Sequence, residues 1–555
     1  MRVKLTALTI AMLLFAGWIA PHPVVLAGTS NPMLKVGLAY ASNAMPAANL
    51  ANEDGAGYQF GYYDADRVFV PLGFTYEEKI TMLKNKTMYL SDSGRYSDVQ
   101  TSPRKTIGAY SLDIGQGYYA FADAQNAASQ INGGYPAWIN GAFRVLTGHY
   151  ETQSGASAAA AAGWSVVAPN ASAVLIVRTS DAAPLFFFDG GADMALGVSP
   201  SVDGTPRPLT WFSDNKYAGG FEYRRVNGND MTVINVVDVQ NYAKGVIPYE
   251  MSPTWPIEAL KAQALCAKSY ALHQKSVGKH KNSGGFDLCN TIDCQVYRGA
   301  RSESALSNQA VDDTYGIYVT YQGQPIEAVY HASNGGYTEN SENVWEKVIP
   351  YLRAVADNFE NLETANYGTW SYVYTKSDLT NILRDKNRPN SGIVDVYVSQ
   401  YSAAGNVMEL TFVDASGQKY TYSKESARSI LNSSSRSLYV WSQRFTVSPK
   451  VALSVIDGSG NTSAVSSIGS IYAIGTERLL SLLPGAASVR FLSSGGKTAG
   501  LTVGDTFVVE GRGFGHNVGM SQEGAKGMAE RGYTFDQILK YYYTGVDVQL
   551  MSDIW

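Results

Sequence analysis

Apolar and polar residues alternate in short runs between Lys35 and Ser97, as in Tyr58–Tyr63 and Val68–Leu72, with turn residues between the runs. A period of two over four to eight residues predicts half-buried strands. From Lys105 to Arg178 the pattern changes. A strand over Thr106–Ile114 leads to a helix over Ala120–Ile131, closed by Gly133 and Gly134; a strand over Ala137–Leu146 and a helix over Thr152–Ala162 follow. The Ala158–Ala162 run is read as part of that second helix, because alanine is the best helix former.

From Pro208 onward, strand patterns at Met231–Asp238, Ile317–Tyr321, Ile326–His331 and Val394–Val398 surround one long helical run, Ile257 to Gln274. Alanines at 259, 262, 264, 267 and 271 favour that helix, and Pro256 suits its first turn. The stretch 358–432 carries its own helix and strand signals and reads as an elaboration within one domain at 208–550. The expected fold class is therefore multidomain α+β, with a small β-rich module at 35–100 and a β-α-β-α module at 105–182 ahead of a mixed domain at 208–550.

Composition narrows the function. Of 555 residues, 45% are apolar and 16% charged, below the usual charged share of roughly 25%, which excludes a charge-rich disordered chain. A net charge of -5 supplies no positive field for a polyanion, so no nucleic-acid partner is expected. The 37 tyrosines provide flat faces with a polar tip, suited to sugars as well as strands.

Arg2 and Lys4 precede an uncharged run, Leu5–Ala27, which ends in Val25-Leu26-Ala27 before Gly28. Residues 1–27 are thus expected to be a signal peptide, or an uncleaved membrane anchor, of an exported protein at the cell wall. Three cysteines, Cys266, Cys289 and Cys294, are too few for a disulfide-framed scaffold.

One carboxyl stands out. Glu250 is flanked in sequence by Ile247, Tyr249, Met251 and Trp255, on what reads as a rigid loop marked by Pro248 and Pro253. Apolar walls raise a carboxyl pKa toward the range of a general acid, whereas a nearby helix N-terminus lowers it, and the sequence leaves that contest open. Glu258, in the first turn of the long helix, is explained by the macrodipole alone.

The 105–182 segment resembles a SPOR-type peptidoglycan-binding domain through Gly108-Ala-Tyr110, the Ala-rich helix at Ala122–Ser129, and Phe143-Arg-Val-Leu-Thr-Gly148 with Tyr150. That resemblance implies affinity for glycan strands stripped of stem peptides. A longer set of motifs follows. Gly245-Val-Ile-Pro-Tyr-Glu-Met251, Trp255-Pro-Ile-Glu-Ala-Leu-Lys-Ala-Gln-Ala264, Cys294-Gln-Val-Tyr297, His331-Ala-Ser-Asn-Gly-Gly-Tyr-Thr338 and Gly511-Arg-Gly-Phe-Gly-His-Asn-Val-Gly-Met-Ser-Gln522 are similar to the stage II sporulation protein D (SpoIID/LytB) family.

The family resemblance implies a lytic transglycosylase of peptidoglycan with Glu250 as its acid and base, giving a 1,6-anhydro product and requiring no cofactor for catalysis. It also implies an alternative, a non-catalytic wall-binding protein that enhances an N-acetylmuramoyl-L-alanine amidase. Lys261, Tyr321, Thr338 and Tyr351 match positions that line the family's cleft, and Ser333-Asn-Gly-Gly336 permits a loop of close approach to a ligand at Ser333, Gly335 and Gly336, since glycine has no Cβ. Some members bind zinc with two Cys and two His near Cys289 and Cys294; here Asp293 replaces the His before the second Cys. A structural zinc helped by His280, and a Cys289–Cys294 disulfide, are both open at this point. His516, amid its glycines, is expected to be packed rather than catalytic.

Overall fold

The computed structural model describes residues 31–449 and 505–550, apart from 53–54, 101–102, 203, 206 and 366–367, and between them only the backbone of short strands from 453 to 502. The expected leader or anchor at 1–27 lies outside the described residues. Among the described residues, no helix is long and apolar enough to cross a membrane.

The first strand, β1 (Met33–Ala39), begins a seven-stranded sheet taken up again below. In the next third of the chain β2 (Tyr110–Asp113), α1 (Phe121–Ser129), β3 (Gly134–Ile139), β4 (Ala142–Tyr150), α2 (Gln153–Ala159) and β5 (Ser165–Val167) form a β-α-β-β-α-β unit. Its strands lie in the order β5-β2-β4-β3, each pair antiparallel. This is a ferredoxin-like arrangement. The single strand expected over Ala137–Leu146 is instead a hairpin. Asn140 and Gly141 take φ of 47° and 90° between the paired Ile139 and Ala142, the two positive values that a type I′ turn needs. The strand expected over Thr106–Ile114 is also broken, at Gly108, where a Cβ would meet the Tyr150 backbone at 2.1 Å.

This unit is not an isolated sheet. β3 pairs in parallel with Pro184–Asp189, and the sheet continues through Val174–Arg178, Lys79–Lys84 and Ala47–Asn52 to Asn215–Tyr217, ten strands in all. The segments expected as separate modules at 35–100 and 105–182 therefore share hydrogen-bonded strands. In the seven-stranded sheet, β1 pairs with β6 (Met231–Asp238), which carries the pairing on through Gly220–Arg225 and Leu196–Pro200 to Tyr58–Tyr63 and Phe69–Thr75. Alternate residues of both sheets meet in one core: Val36, Phe60 and Val233 from one, Leu50, Met82 and Phe188 from the other. Strands buried along one face must pair where that face is covered, and here the cover comes from segments far apart in sequence.

β6 feeds α3 (Val239–Glu250), capped by Asp238, whose carboxylate accepts from the Gln240 and Asn241 N–H groups at 3.0 Å each. After Pro256 comes α4 (Ile257–Val277), ended by Gly278 at φ 68°. α4 is buried on nearly every side: Ala259, Ala262 and Leu265 face a second core, and Ala267 and Ala271 the first. The strand β7 (Leu288–Cys289) then adds to the free edge of β1.

The final third brings β8 (Tyr330–His331), β9 (Thr369–Thr375), β10 (Phe445–Pro449), β11 (Thr506–Arg512), β12 (Met520–Ser521) and α5 (Gln522–Glu530). β9 and β10 flank β11, and β8 lies parallel to β12. The expected elaboration has a core of its own, with Tyr374, Leu383, Phe412, Leu431 and Val509. It extends past 432, since β10 is stitched to β11.

Candidate functional site

Glu250 is the last residue of α3 rather than part of a loop. Pro248 has no N–H to give the Lys244 carbonyl, and the helix ends two residues later, at Glu250. Ile247 and Met251 are fully buried in the second core, while Tyr249 turns outward and accepts a hydrogen bond from the Ser302 hydroxyl at 2.8 Å. The carboxyl itself sits where three other chain segments converge. The Tyr330 phenol on β8, the Gln522 amide at the start of α5 and the Val296 backbone N–H lie close enough to favour its ionised form, while the phenol bonds to Gln295 at 2.9 Å and the Gln522 amide to Gln263 at 3.4 Å.

Burial dominates the electrostatics. It pushes the Glu250 carboxyl above its ordinary value, and the three donors only partly offset it. Placement at a helix C-terminus adds no opposing pull, because that end of the macrodipole disfavours a carboxylate. Behind Tyr330 stands Gln295, whose Oε1 accepts from the same phenol at 2.9 Å and whose amide donates to the Tyr242 hydroxyl and the Ala267 carbonyl at 3.3 Å each. The phenol has one proton for two acceptors. It donates to Glu250 when that group is ionised, and is released to Gln295 when Glu250 carries its own proton.

Two measurable consequences follow for pH. A folded-state pKa above the unfolded value contributes stability that is complete below the unfolded pKa and lost as pH rises through the folded one. The unfolding free energy of the wild type, relative to Glu250→Gln, is therefore expected to fall across that window in a pH series of urea titrations. Tyr330→Phe removes a donor that lowers the Glu250 pKa, so the alkaline limb of any Glu250-dependent activity should move to higher pH, by under about one unit for a single hydrogen bond. A limb that stays in place or moves down would count against this pairing.

The residues expected to line the cleft have partners of their own. Lys261 is held between Glu258 at 3.1 Å and Asp313 at 3.2 Å, so its ammonium is already paired. Glu258 does more than meet the macrodipole, since its other oxygen accepts from the Phe535 N–H at 2.9 Å. Tyr321 and Tyr351 pack ring against ring at 5.5 Å, and the Tyr351 hydroxyl accepts from the Glu327 N–H. Thr338 is wholly buried and its hydroxyl accepts from the Val355 N–H at 2.8 Å, which makes it a loop brace. Among the described residues, none of these donates to Glu250.

Ser333 is also wholly buried. With Asn334 and Gly335 it wraps a different carboxyl, Glu360, which accepts from the Ser333 hydroxyl at 2.9 Å and from the Asn334 and Gly335 N–H groups at 2.7 and 3.0 Å. The Ser521 hydroxyl donates to it as well. The Gly336 N–H goes to the Asn334 side chain at 2.7 Å. These bonds lock the loop after β8 to the strand before α5, which fixes Tyr330 and Gln522 at Glu250. Asn334 and Tyr542 in turn hold the neighbouring Asp357 at 2.7 and 2.6 Å. His516 is packed, its ring against His331 and Trp345, with burial lowering its pKa to about 4.

Sequence reasoning missed Tyr330, Gln295, Gln522 and Glu360. Gln295 and Gln522 lay inside quoted motifs, and Tyr330 directly before one. What was lacking was the convergence, which depends on the parallel pairing of β8 with β12.

A cluster of metal-ligating side chains lies one residue away from Gln295. The donor atoms of His280, Cys289, Asp293 and Cys294 are all within 4.8 Å of one another, and the cysteines are unbridged. His280 Nε2 is 3.3 Å from Cys294 Sγ and 3.5 Å from Asp293 Oδ2, and Cys289 Sγ is 3.8 Å from Asp293 Oδ2. A zinc tetrahedron with bonds of about 2.0–2.3 Å has edges of roughly 3.3–3.8 Å, so this donor set fits the ion. On a strand Asp293 and Cys294 would face opposite ways. They share the cluster because 291–294 is a turn, closed by the Cys294 N–H on the Thr291 carbonyl at 3.0 Å. An ion held here would brace β7 and the Gln295–Val296 segment beside Glu250, with no part in proton transfer. Protein purified without chelator is expected to carry about one zinc per chain with three titratable thiols. One thiol and no zinc would mean a disulfide instead.

Residues 227–321 match the family described as SpoIID, Stage II sporulation protein. The chain is 29% identical to an uncharacterized protein of Brachyspira hyodysenteriae over 61% of its own length and 76% of that protein. It is 28% identical to Stage II sporulation protein D of Bacillus subtilis, over 59% of its length and 77% of the relative. The Amidase enhancer of Bacillus subtilis is 32% identical over 54% of this chain, which spans only 39% of that longer protein.

Proposed function

For a chain that carries a domain of the stage II sporulation protein D family, we propose that the Glu250 site cleaves the glycan strands of peptidoglycan as a lytic transglycosylase. The observation that carries the reading is one partly buried carboxyl, raised in pKa by desolvation and surrounded by neutral polar groups, with no charged group contributing to its shift.

Hydrolytic glycosidases need two carboxyls, one for the leaving group and one for water or the anomeric carbon. A single carboxyl suffices when the substrate supplies its own nucleophile. Glu250, in the protonated form that desolvation favours, gives its proton to the glycosidic oxygen as the C1–O bond breaks. The resulting carboxylate is stabilised by Tyr330, Gln522 and Val296, and then takes the proton of the C6 hydroxyl as that oxygen bonds to C1. The product is a 1,6-anhydro ring, and Glu250 is protonated again. Tyr330 suits both halves of the cycle, since its proton turns to Glu250 or to Gln295 as the charge comes and goes.

The β-α-β-β-α-β unit, in this reading, holds glycan strands for the site, in line with its SPOR resemblance. The chain acts outside the membrane, where its substrate is. The Amidase enhancer relative favours a second reading, in which the chain binds wall and promotes an amidase without cleaving glycan. Mass spectrometry of purified glycan strands incubated with the protein separates the two. Anhydro-ended fragments support cleavage, and strands of unchanged length leave the enhancer reading.

A further inference from the structure

A groove of about 760 Å³ opens between the sheet β9-β11-β10 and the loops around Gly335 and Gly405, away from the hydrogen-bond partners of Glu250. Its size is that of an ordinary ligand cleft. The floor is the outer face of the sheet. Along β11 the buried positions are 507, 509 and 511, which turns Glu510 and Arg512 outward together. Beside them, Thr369 pairs with Arg512, while Ser371 and Thr446 pair with Glu510 from either side. Three small hydroxyls, one acid and one base thus share one exposed surface.

Neither charge on that surface is spent. Among the described residues, the side chains of Glu510 and Arg512 make no hydrogen bond or ion pair, not even with each other. Tyr401, 45% exposed, stands at the rim with a ring face available for packing. Arg444 forms the opposite wall. It donates to the carbonyls of Asn334, Ala404 and Tyr337 at 2.9, 2.5 and 2.8 Å, using three of its five N–H groups. Gly335, at φ +70°, passes between the two arginines where a Cβ would lie 2.7 Å from Arg512 Cβ and 3.0 Å from Arg444 Cδ. A side chain there would fill the space between the guanidinium stems.

Small hydroxyls with a carboxylate recognise vicinal hydroxyl groups, an aromatic edge packs on a pyranose face, and a free guanidinium pairs with a carboxylate. This combination suits an acidic polysaccharide. The groove is also connected to the catalytic carboxyl by two of the three chain segments that meet there. The loop from Tyr330 at Glu250 reaches Gly335 at the groove within five residues, at most about 18 Å of extended chain. The segment from Arg512 leads to Gln522. We infer that this groove is a second, distal site for the same glycan strand whose bond is presented to Glu250, with Arg512 on a sugar carboxylate and Tyr401 against a ring. The inference rests on the glycan reading of the Glu250 site for its ligand, and on the groove's own side chains for its place.

The test is a binding titration with full-length Glu250→Gln protein, using purified peptide-free glycan strands of ten or more disaccharides and fragments of two. Adding Arg512→Ala or Tyr401→Ala is expected to weaken binding of the long strands by about tenfold each, the scale of one charge-assisted or stacking contact, and to shrink the preference for long over short strands. Arg512→Lys should recover part of the loss. Long strands bound equally by all variants would overturn the groove and leave the Glu250 reading standing. Loss of binding in the groove variants, together with intact strands after incubation with wild type, would support the groove and overturn the transglycosylase. No binding of long strands by the parent would overturn both.

Discussion

Glu250→Gln is expected to reduce glycan cleavage by about 10³-fold or more, since general acid–base catalysis contributes roughly 10²–10⁴ and here one group provides both steps. That loss corresponds to about 4 kcal/mol of transition-state stabilisation. The substitution keeps the size of the side chain and its place at the end of α3, and it removes a partly buried ionisable group, so stability near neutral pH should hold or rise. Release of anhydro-ended fragments, followed by mass spectrometry on protein of matched folding, gives the measurement. Turnover within threefold of the wild type would dismiss Glu250 as the acid. Glu258→Gln is the control, because Glu258 serves Lys261 and the start of the helix at Phe535.

Glu360→Ala should cost about 3–5 kcal/mol of folding stability, the scale of leaving several buried donors without an acceptor. The carboxyl takes hydrogen bonds from Ser333, Asn334, Gly335 and Ser521, and alanine offers none of them a substitute. Activity should fall too, through position rather than chemistry. Ser521 immediately precedes Gln522, and the Ser333 loop follows Tyr330, so loosening Glu360 loosens two of the donors at Glu250. Glu360→Gln retains an acceptor oxygen and should lose clearly less stability in urea titrations. Equal losses for the two variants would show that the network is not what holds this loop.

The distinction between these carboxyls was not available from residue order. Both are raised by burial, yet one has four donors and closes a loop, while the other keeps three neutral contacts at a junction of segments. The loop Ser333–Gly336 looked like a ligand cradle because glycines permit close approach. In the fold it encloses Glu360, and Gly335 passes between Arg444 and Arg512. Thr338 and Lys261, plausible ligands by type, are spent on a backbone brace and an ion-pair triad.

Local chemistry along the chain determined a good deal by itself. The strands Met231–Asp238 and Ile317–Tyr321 occupy the limits that their alternation predicts, and the Ala-rich run after Pro256 is a helix that stops a few residues later than expected, at a left-handed glycine. The motifs around Glu250 lie in the segment 227–321 that matches the SpoIID family model, and the multidomain α+β class followed from the mixture of periods. These features rest on interactions within a few residues, so they are written in order along the chain. Partnership is different. Whether 35–100 forms its own sheet, and which segment brings Tyr330 and Gln522 to Glu250, depend on contacts across up to 272 residues, Glu250 to Gln522, and whether Asp293 can face the same point as Cys294 depends on the turn between them. Only the tertiary structure decided them, because burial and hydrogen-bond satisfaction act on neighbours in space, whatever their distance in sequence.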